Sequence, residues 1–162
     1  MKFTILILLL ITSIGVNAAG KTAFINAKVL LEESPQAIAA NEQLQKQFGS
    51  REKSLRILAG SINEMEQIYQ NDSAIMSSEQ KKKAEDNIIQ NKRRFKFEQQ
   101  SLKEDLQSRQ RELLQKVQIS IKAAIQSYGD KNGYDFIFTD SSIAYASDAV
   151  NITEQILNEL KQ

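Results

Sequence analysis

The sequence predicts a mainly α protein with a small β body, from which a long antiparallel helical hairpin protrudes as a coiled-coil arm. The region from Gln36 to Asp130 contains no proline and has helical character throughout, with one soft break at Asn71-Asp72-Ser73. One β-like segment lies before this region and two lie after it. A chain that leaves a β unit, runs out along one helix and returns along another builds an arm that is exposed along its length.

The first eighteen residues have the pattern of a secretory signal peptide. Lys2 supplies the positive start, an apolar run extends from Phe3 to Val16, and Val16-Asn17-Ala18 suits cleavage after Ala18. A membrane anchor is the alternative, but the run is short for a span and no basic cluster follows it directly. We therefore expect an exported, soluble protein.

The absence of cysteine excludes a lipid-anchored form and disulfides, so packing or assembly must supply the stability.

Without these eighteen residues, 144 of the 162 residues remain, which is one domain by length. We expect the body at residues 19–34 and 131–162 and the arm at residues 35–130.

Basic and acidic residues balance at 20 each after Lys2 is removed, but their distribution along the chain is uneven. Residues 77–131 carry 13 basic and 8 acidic side chains, whereas residues 132–162 carry 1 and 5. The returning half of the arm is therefore positive, and the whole chain does not have the charge of a nucleic-acid binder.

Each half of the arm carries a narrow apolar seam with the spacing of a two-helix coiled coil. The outgoing seam is Leu44, Phe48, Leu55, Leu58, Ile62, Met65 and Tyr69. The returning seam is Ile88, Phe95, Leu102, Leu106, Leu113, Val117, Ile121, Ala124 and Tyr128, with an interruption at Arg109. A compact helical bundle is the alternative, but it needs wider apolar stripes and more breaks. Ser34 and Pro35 are expected to start the first helix, and Ser77 or Ser78 the second.

Three short segments rich in aromatic and β-branched residues predict strands in the body: Lys21–Asn26, Tyr134–Thr139 and Ile143–Ser147. Asp140-Ser141-Ser142 is expected to join the last two as a hairpin. Asn151 with Glu154 predicts a capping box, and Ile152, Ile156, Leu157 and Leu160 make the apolar face of a final helix. So few short elements leave sheet edges unpaired, which favours oligomerisation. The expected oligomer body contains Ala23, Ile25, Phe136, Phe138, Ile143 and Tyr145.

The sequence offers no set of residues for catalysis, and we predict no enzyme, catalytic residue, metal site or cofactor. Histidine and cysteine are both absent, which removes histidine triads, thiol nucleophiles and the usual zinc sites. No glycine-rich phosphate loop or dinucleotide motif is present. Adjacent acids such as Glu85-Asp86 lie on exposed helix faces, where solvation is their expected role.

Two sets of residues on the arm are candidates for binding. A basic set could contact anionic lipid, the alternative being a solvated helix face: Lys81, Lys82, Lys83, Lys92, Arg93, Arg94 and Lys96. An apolar set exceeds what a thin hairpin can bury and could hold unfolded chains: Ile75, Met76, Ile88, Ile89, Phe95 and Phe97. Phe95 and Phe97 cannot both face the partner helix, so one of them is expected to be exposed.

Two segments near the ends of the chain have distinctive sequences: KTAFINAKVLLEESPQ and YDFIFTDSSIAYASDAVNITEQILNELK. The first resembles the first strand and short helix of the periplasmic Skp, or OmpH-like, chaperone family, and the second resembles that family's final hairpin and C-terminal helix. The resemblance implies a trimer in which strands form a small central β-barrel and three arms enclose a cavity. It further implies that the cavity shelters unfolded outer-membrane proteins without ATP. Members are often strongly basic, so the neutral charge of this chain leaves lipopolysaccharide binding to the returning arm.

We therefore predict an ATP-independent periplasmic holdase that binds many weak sites on an unfolded β-barrel chain. The alternative is a structural or adaptor coiled-coil protein with one folded partner. That alternative fits a dense seam without surplus apolar residues, and Ile89, Phe95 and Phe97 argue against it.

Overall fold

The computed structural model describes residues 20–161, and the predicted signal peptide at residues 1–18 lies outside them. The elements of this part are, in order, β1 (Thr22–Ile25), α1 (Ala27–Glu33), α2 (Pro35–Asp72), α3 (Ser78–Asn132), β2 (Phe136–Thr139), two 3-10 turns (Asp140–Ser142 and Asp148–Val150) and α4 (Thr153–Glu159). The predicted fold class, mainly helical with a small β body, is confirmed.

Helices α2 and α3 form the arm and have 38 and 55 residues. At about 1.5 Å per residue they are about 57 Å and about 82 Å long. The hydroxyl of Ser34 caps α2 by accepting the amide hydrogen of Ala37 at 3.2 Å. Ser77 caps α3 through a capping box with Gln80. Helix α3 ends at Gly133, whose φ of 65° lies in the left-handed region that favours glycine.

The two helices pack against each other along the predicted seams. Buried seam positions are Phe48, Leu55 and Ile62 on α2 and Ile88, Leu102 and Leu113 on α3. Leu44, Phe95 and Leu106 are half-buried against them. Most of the remaining helix surface is exposed, as expected for a hairpin only two helices thick.

Polar contacts across the hairpin hold the two helices in register. The guanidinium of Arg51 on α2 donates to the carboxylate of Asp105 on α3 at 2.7 Å. Nearer the tip, the ammonium of Lys92 on α3 pairs with Glu66 on α2. Arg109, which interrupts the predicted seam, is half-buried. These contacts are specific to one alignment, whereas apolar seam residues alone tolerate a shift of one heptad.

The body contains a two-stranded parallel sheet. Residues 22–25 of β1 pair in order with residues 136–139 of β2. On the other edge of β1, the carbonyl of Phe24 accepts the amide hydrogen of Ile152 at 2.9 Å. Strand β1 therefore lies between two segments that come from the far end of the chain.

One hydrophobic core joins the body to the base of the arm. Its buried members are Ala23, Ile25, Leu30, Ala37, Val117, Ile121, Ala124, Ile152, Ile156 and Leu160. The predicted apolar face of α4 is thus confirmed, with Leu157 half-buried beside it. Ala37 and the α3 residues of this core fall within the range predicted for the arm. The base of the hairpin therefore shares its packing with the body.

The predicted third strand and its hairpin turn are wrong for this chain. Residues 143–147 contain no strand, and Asp140–Ser142 is a 3-10 turn. The carboxylate of Asp140 accepts the amide hydrogen of Ala27 at 3.2 Å, which holds the turn against the start of α1. From there the chain continues to the opposite edge of β1, where Asn151 bridges to Phe24, and does not fold back on β2.

The predicted capping box of the final helix is also wrong. The amide oxygen of Asn151 accepts hydrogen bonds from the backbone and the hydroxyl of Thr153, at 3.0 and 2.6 Å. Thr153 is buried, and its hydroxyl oxygen also accepts the amide hydrogen of Asn26 at 2.8 Å. Asn151 therefore orients Thr153 for a contact with the chain after β1.

Helix α4 is attached to α3 by a polar contact at its other end. The carboxylate of Glu159 accepts hydrogen bonds from Lys131 at 2.6 Å and from Ser127 at 3.1 Å. These two donors, Lys131 above all, hold the pKa of Glu159 below its ordinary value.

Candidate functional site

The arm exposes apolar side chains that its own seam does not use. Among the predicted set, Ile75 is 87% exposed, Phe97 75% and Ile89 46%. Met76, in the turn at the tip, is half-buried. These four residues occupy the outer half of the hairpin, where a bound chain could reach them.

Two residues of the predicted apolar set belong to the seam. Ile88 is 9% exposed and faces α2, and Phe95 is half-buried against the cluster around Leu102. The expectation that one of Phe95 and Phe97 is exposed is confirmed, and Phe97 is that residue. Ile88 and Phe95 therefore contribute to the packing of the hairpin.

The sequence reasoning overlooked further exposed apolar residues on both helices. These are Ile38, Ile57 and Ile68 on α2 and Leu114 and Ile119 on α3. A signal for them was available, because each falls outside the seam spacing. Ile57, for example, lies between the seam residues Leu55 and Leu58 and must point away from α3.

The predicted basic set lies on the first five turns of α3, and its members differ in their contacts. Lys92 pairs with Glu66 across the hairpin, and Arg94 pairs with Glu98 on its own helix at 2.7 Å. No ion pair within residues 20–161 involves the other five: Lys81, Lys82, Lys83, Arg93 and Lys96. All five except Lys81, which is half-buried, are exposed. The unpaired residues are therefore the better candidates for an external anion.

A small notch opens between the helices near the tip of the arm. It has a volume of about 230 Å³ and is lined by Glu66, Tyr69 and Gln70 from α2 and by Glu85, Ile88 and Ile89 from α3. The phenol of Tyr69 donates a hydrogen bond to Glu85, which raises the pKa of Tyr69 above its ordinary value. The lining of the notch thus combines apolar side chains with two carboxylates.

The predicted body residues divide between the two faces of the sheet. Ala23 and Ile25 are buried in the core of the chain itself, whereas Phe136 and Phe138 point outward from β2. The two phenylalanine rings stack with centroids 6.1 Å apart at an interplanar angle of 22°. Tyr145 is exposed, and Ile143 is half-buried. In the described part of the chain, the outer face of β2 is therefore aromatic and partly exposed.

Within residues 20–161, no three histidine, cysteine or carboxylate side chains come together in a way that could hold a metal ion. In the same range, no helix is both long enough and apolar enough to cross a membrane.

A small β body from which a long exposed helical hairpin extends is the architecture of a binding protein with a protruding arm. The sequence also matches the model of one family, described as outer membrane protein (OmpH-like), over residues 21–160. The chain belongs to the OmpH-like family, which confirms the resemblance seen at its two ends. Family membership implies a non-enzymatic role.

Relatives with assigned functions carry the name of a chaperone. Chaperone protein Skp of Pectobacterium atrosepticum is 27% identical over 154 residues, covering 95% of this chain and 93% of the relative. Chaperone protein Skp of Vibrio cholerae is 24% identical, covering 89% of this chain and 85% of the relative. A Caulobacter crescentus protein assigned as an OmpH-like outer membrane chaperone superposes with a TM-score of 0.72 at 10% identity, covering 88% of this chain and 85% of that one. The prediction of an Skp-like chaperone is supported by these relatives.

Proposed function

We propose that this chain is an ATP-independent holdase of the periplasm, which binds unfolded outer-membrane proteins and prevents their aggregation. The observation that carries the proposal is the set of exposed apolar side chains on the outer half of the arm, led by Phe97, Ile75 and Ile89. An unfolded β-barrel chain presents many apolar segments and no fixed shape. A narrow arm with scattered apolar residues suits such a chain better than a preformed pocket does.

The holding strength is expected to come from many weak contacts. One exposed side chain gains at most about 1.5–3 kcal/mol when it is fully buried against a client. Several contacts on one arm, and several arms in one assembly, raise the effective concentration of the next contact. We therefore infer a homo-oligomer, a trimer, in which the arms surround the client. The uncovered aromatic face of β2 and the unpaired segment at residues 143–147 are the surfaces that support this assembly.

The first test removes two exposed apolar side chains. Replacing Ile89 and Phe97 with serine is expected to reduce the capacity of the protein to keep a diluted, urea-unfolded outer-membrane protein from aggregating, as measured by light scattering. The thermal midpoint should move little, because neither side chain belongs to the seam. Each single substitution should have a small effect, since each contact is one of many.

The matched control for this test is Ile88→Ser, one position away on the same helix. Ile88 is buried in the seam, so its loss should lower the thermal midpoint. If the double variant protects the client as well as the parent does, the exposed apolar residues are not the client-binding surface. If parent and variant both fail to protect, the holdase proposal itself is wrong.

The second test concerns anionic lipid, which we propose as a further partner of the basic set. Reversing Lys82, Lys83 and Arg93 to glutamate should weaken binding to vesicles that contain anionic lipid and leave helicity unchanged. The difference in vesicle binding between the parent and this variant should shrink as the salt concentration is raised, because screening shortens the reach of exposed charges. Lys92 and Arg94 are left intact because both already pair with glutamates of this chain. Equal vesicle binding at low salt would assign the basic set to a solvated helix face.

A further inference from the structure

The notch near the tip of the arm has the chemistry of a site for one aromatic side chain. Ile88 and Ile89 contribute aliphatic carbons to its lining, and Tyr69 contributes an aromatic ring. A closed apolar cavity of about 150 Å³ is large enough to hold benzene. The notch is open to solvent, and its volume of about 230 Å³ has room for a single ring that stays in contact with water on one side.

The two glutamates that line the notch favour a bound group that donates a hydrogen bond. Glu66 and Glu85 present carboxylate oxygens, which accept hydrogen bonds only. Each carboxylate has one partner within the chain, Lys92 for Glu66 and Tyr69 for Glu85. A carboxylate has room for further donors, so both remain able to accept from a guest.

The charges around the notch favour a guest that is neutral. On α3, Lys81, Glu85, Ile89, Lys92 and Lys96 follow one another at intervals of 4, 4, 3 and 4 residues and share one face. Two lysines therefore flank the notch on one side and one on the other. Because these three lysines and the two carboxylates Glu66 and Glu85 lie close together, their charges largely offset one another and give neither a cationic nor an anionic side chain a strong net attraction. A ring is compatible with this setting, because its π face attracts an ammonium group.

An apolar body with one neutral donor describes the side chains of tryptophan and tyrosine. Outer-membrane β-barrels carry girdles of aromatic residues at both membrane interfaces. We propose that the notch formed by Glu66, Tyr69, Gln70, Glu85, Ile88 and Ile89 binds the indole or phenol side chain of an unfolded outer-membrane protein. This inference rests on the proposed holdase function. It gives the arm a specific binding site for the aromatic girdle residues of the client, in addition to its scattered apolar contacts.

The test measures tryptophan fluorescence, and the chain adds no background signal because it contains no tryptophan. A short, uncharged, capped peptide with one tryptophan is titrated with the full mature protein and excited at the red edge, where tyrosine does not absorb. The emission is expected to shift to the blue and to saturate as the indole leaves water. A peptide with 1-methyltryptophan, which keeps the ring and loses the N–H donor, should bind about fivefold more weakly. A peptide with lysine in place of tryptophan should not compete.

Two variants locate the response. Ile89→Ser removes part of the apolar lining of the notch and should abolish the saturating shift of the emission. Glu85→Gln should reduce the difference in affinity between the tryptophan peptide and the 1-methyltryptophan peptide. Ile119→Ser, which alters another exposed isoleucine of α3, should leave the titration unchanged. An equal loss in the Ile119 variant, or equal binding of the two indole peptides by the parent, would overturn the proposal.

The aggregation assay separates this proposal from the one on which it rests. If the parent protects an unfolded outer-membrane protein and its titration with the tryptophan peptide shows no saturable shift, the notch is not an aromatic site and the holdase proposal stands. If the parent protects no client, the holdase proposal fails. A saturable shift in that case would make the notch a site for aromatic peptides in general.

Discussion

Replacing Phe138 with aspartate is expected to separate the proposed oligomer into folded single chains. Phe138 is 41% exposed on the outer face of β2, where it stacks on Phe136. A second copy must cover this face if the body is an oligomer. A carboxylate placed there is desolvated on assembly without a partner, which costs several kcal/mol in each interface. Light scattering should report the mass of one chain, and protection of unfolded clients should fall sharply.

The same experiment needs evidence that the separated chain is still folded. Circular dichroism of the Phe138→Asp variant should retain the helical signal, since the arm and the core do not use this side chain. Phe138→Leu, which keeps an apolar surface, should remain assembled. A Phe138→Asp variant of unchanged mass would show that the aromatic face of β2 is not the interface.

Replacing Ile25 with aspartate should have a different and larger effect, which is loss of the folded body. Ile25 is 2% exposed and lies in the core shared by the sheet, α1, α3 and α4. An unpaired charge buried there costs several kcal/mol, a large part of the roughly 5–15 kcal/mol that stabilises a typical domain. The thermal midpoint is expected to fall by about 10 °C or more. The variant should also lose assembly, because the surface that mediates it is no longer formed.

Comparing Ile25→Asp with Phe138→Asp distinguishes a residue of the core from a residue of the interface. Ile25→Val removes one methylene group and should cost about 0.5–1.5 kcal/mol with the assembly intact. If Ile25→Asp dissociates the protein and leaves its thermal midpoint unchanged, Ile25 belongs to a contact between copies and the core described above is incomplete. Both faces of one short sheet are tested in this way, the inner by Ile25 and the outer by Phe138.

The arm could be predicted from the sequence because its determinants are local. Proline is absent, the three-four spacing recurs from Leu55 to Tyr69, and Ser77 with Gln80 marks the start of the return. Each of these signals acts within one or two helical turns. The exposure of Phe97 followed from the same reasoning, since Phe95 already occupied the seam. The notch was not foreseen, because it depends on how residues about 20 positions apart meet across the hairpin.

The body could be predicted only in part because its determinants are not local. Residues 143–147 have the composition of a strand, but a strand needs a partner edge, and the contact of Asp140 with the start of α1 directs the chain elsewhere. Asn151 has the spacing of a helix cap, yet its side chain is engaged with Thr153, which in turn contacts Asn26. In both cases a contact with a sequence-distant residue overrides a local preference. Strand propensity identified β1 and β2, and tertiary contacts determined what followed them.

The pairing of β1 with β2 influences the order in which the chain can fold. Strand β1 emerges first, and its neighbours on both edges, β2 and the segment at Asn151–Ile152, lie more than a hundred residues later. The outer part of the hairpin between them is held by contacts between its own two helices, and closing so long a loop first is slow. The outer arm, with its exposed apolar residues, is therefore expected to form before the body and before the face of β2 that we propose for association. The body, in contrast, has to wait for residues 136–152, which supply both neighbours of β1.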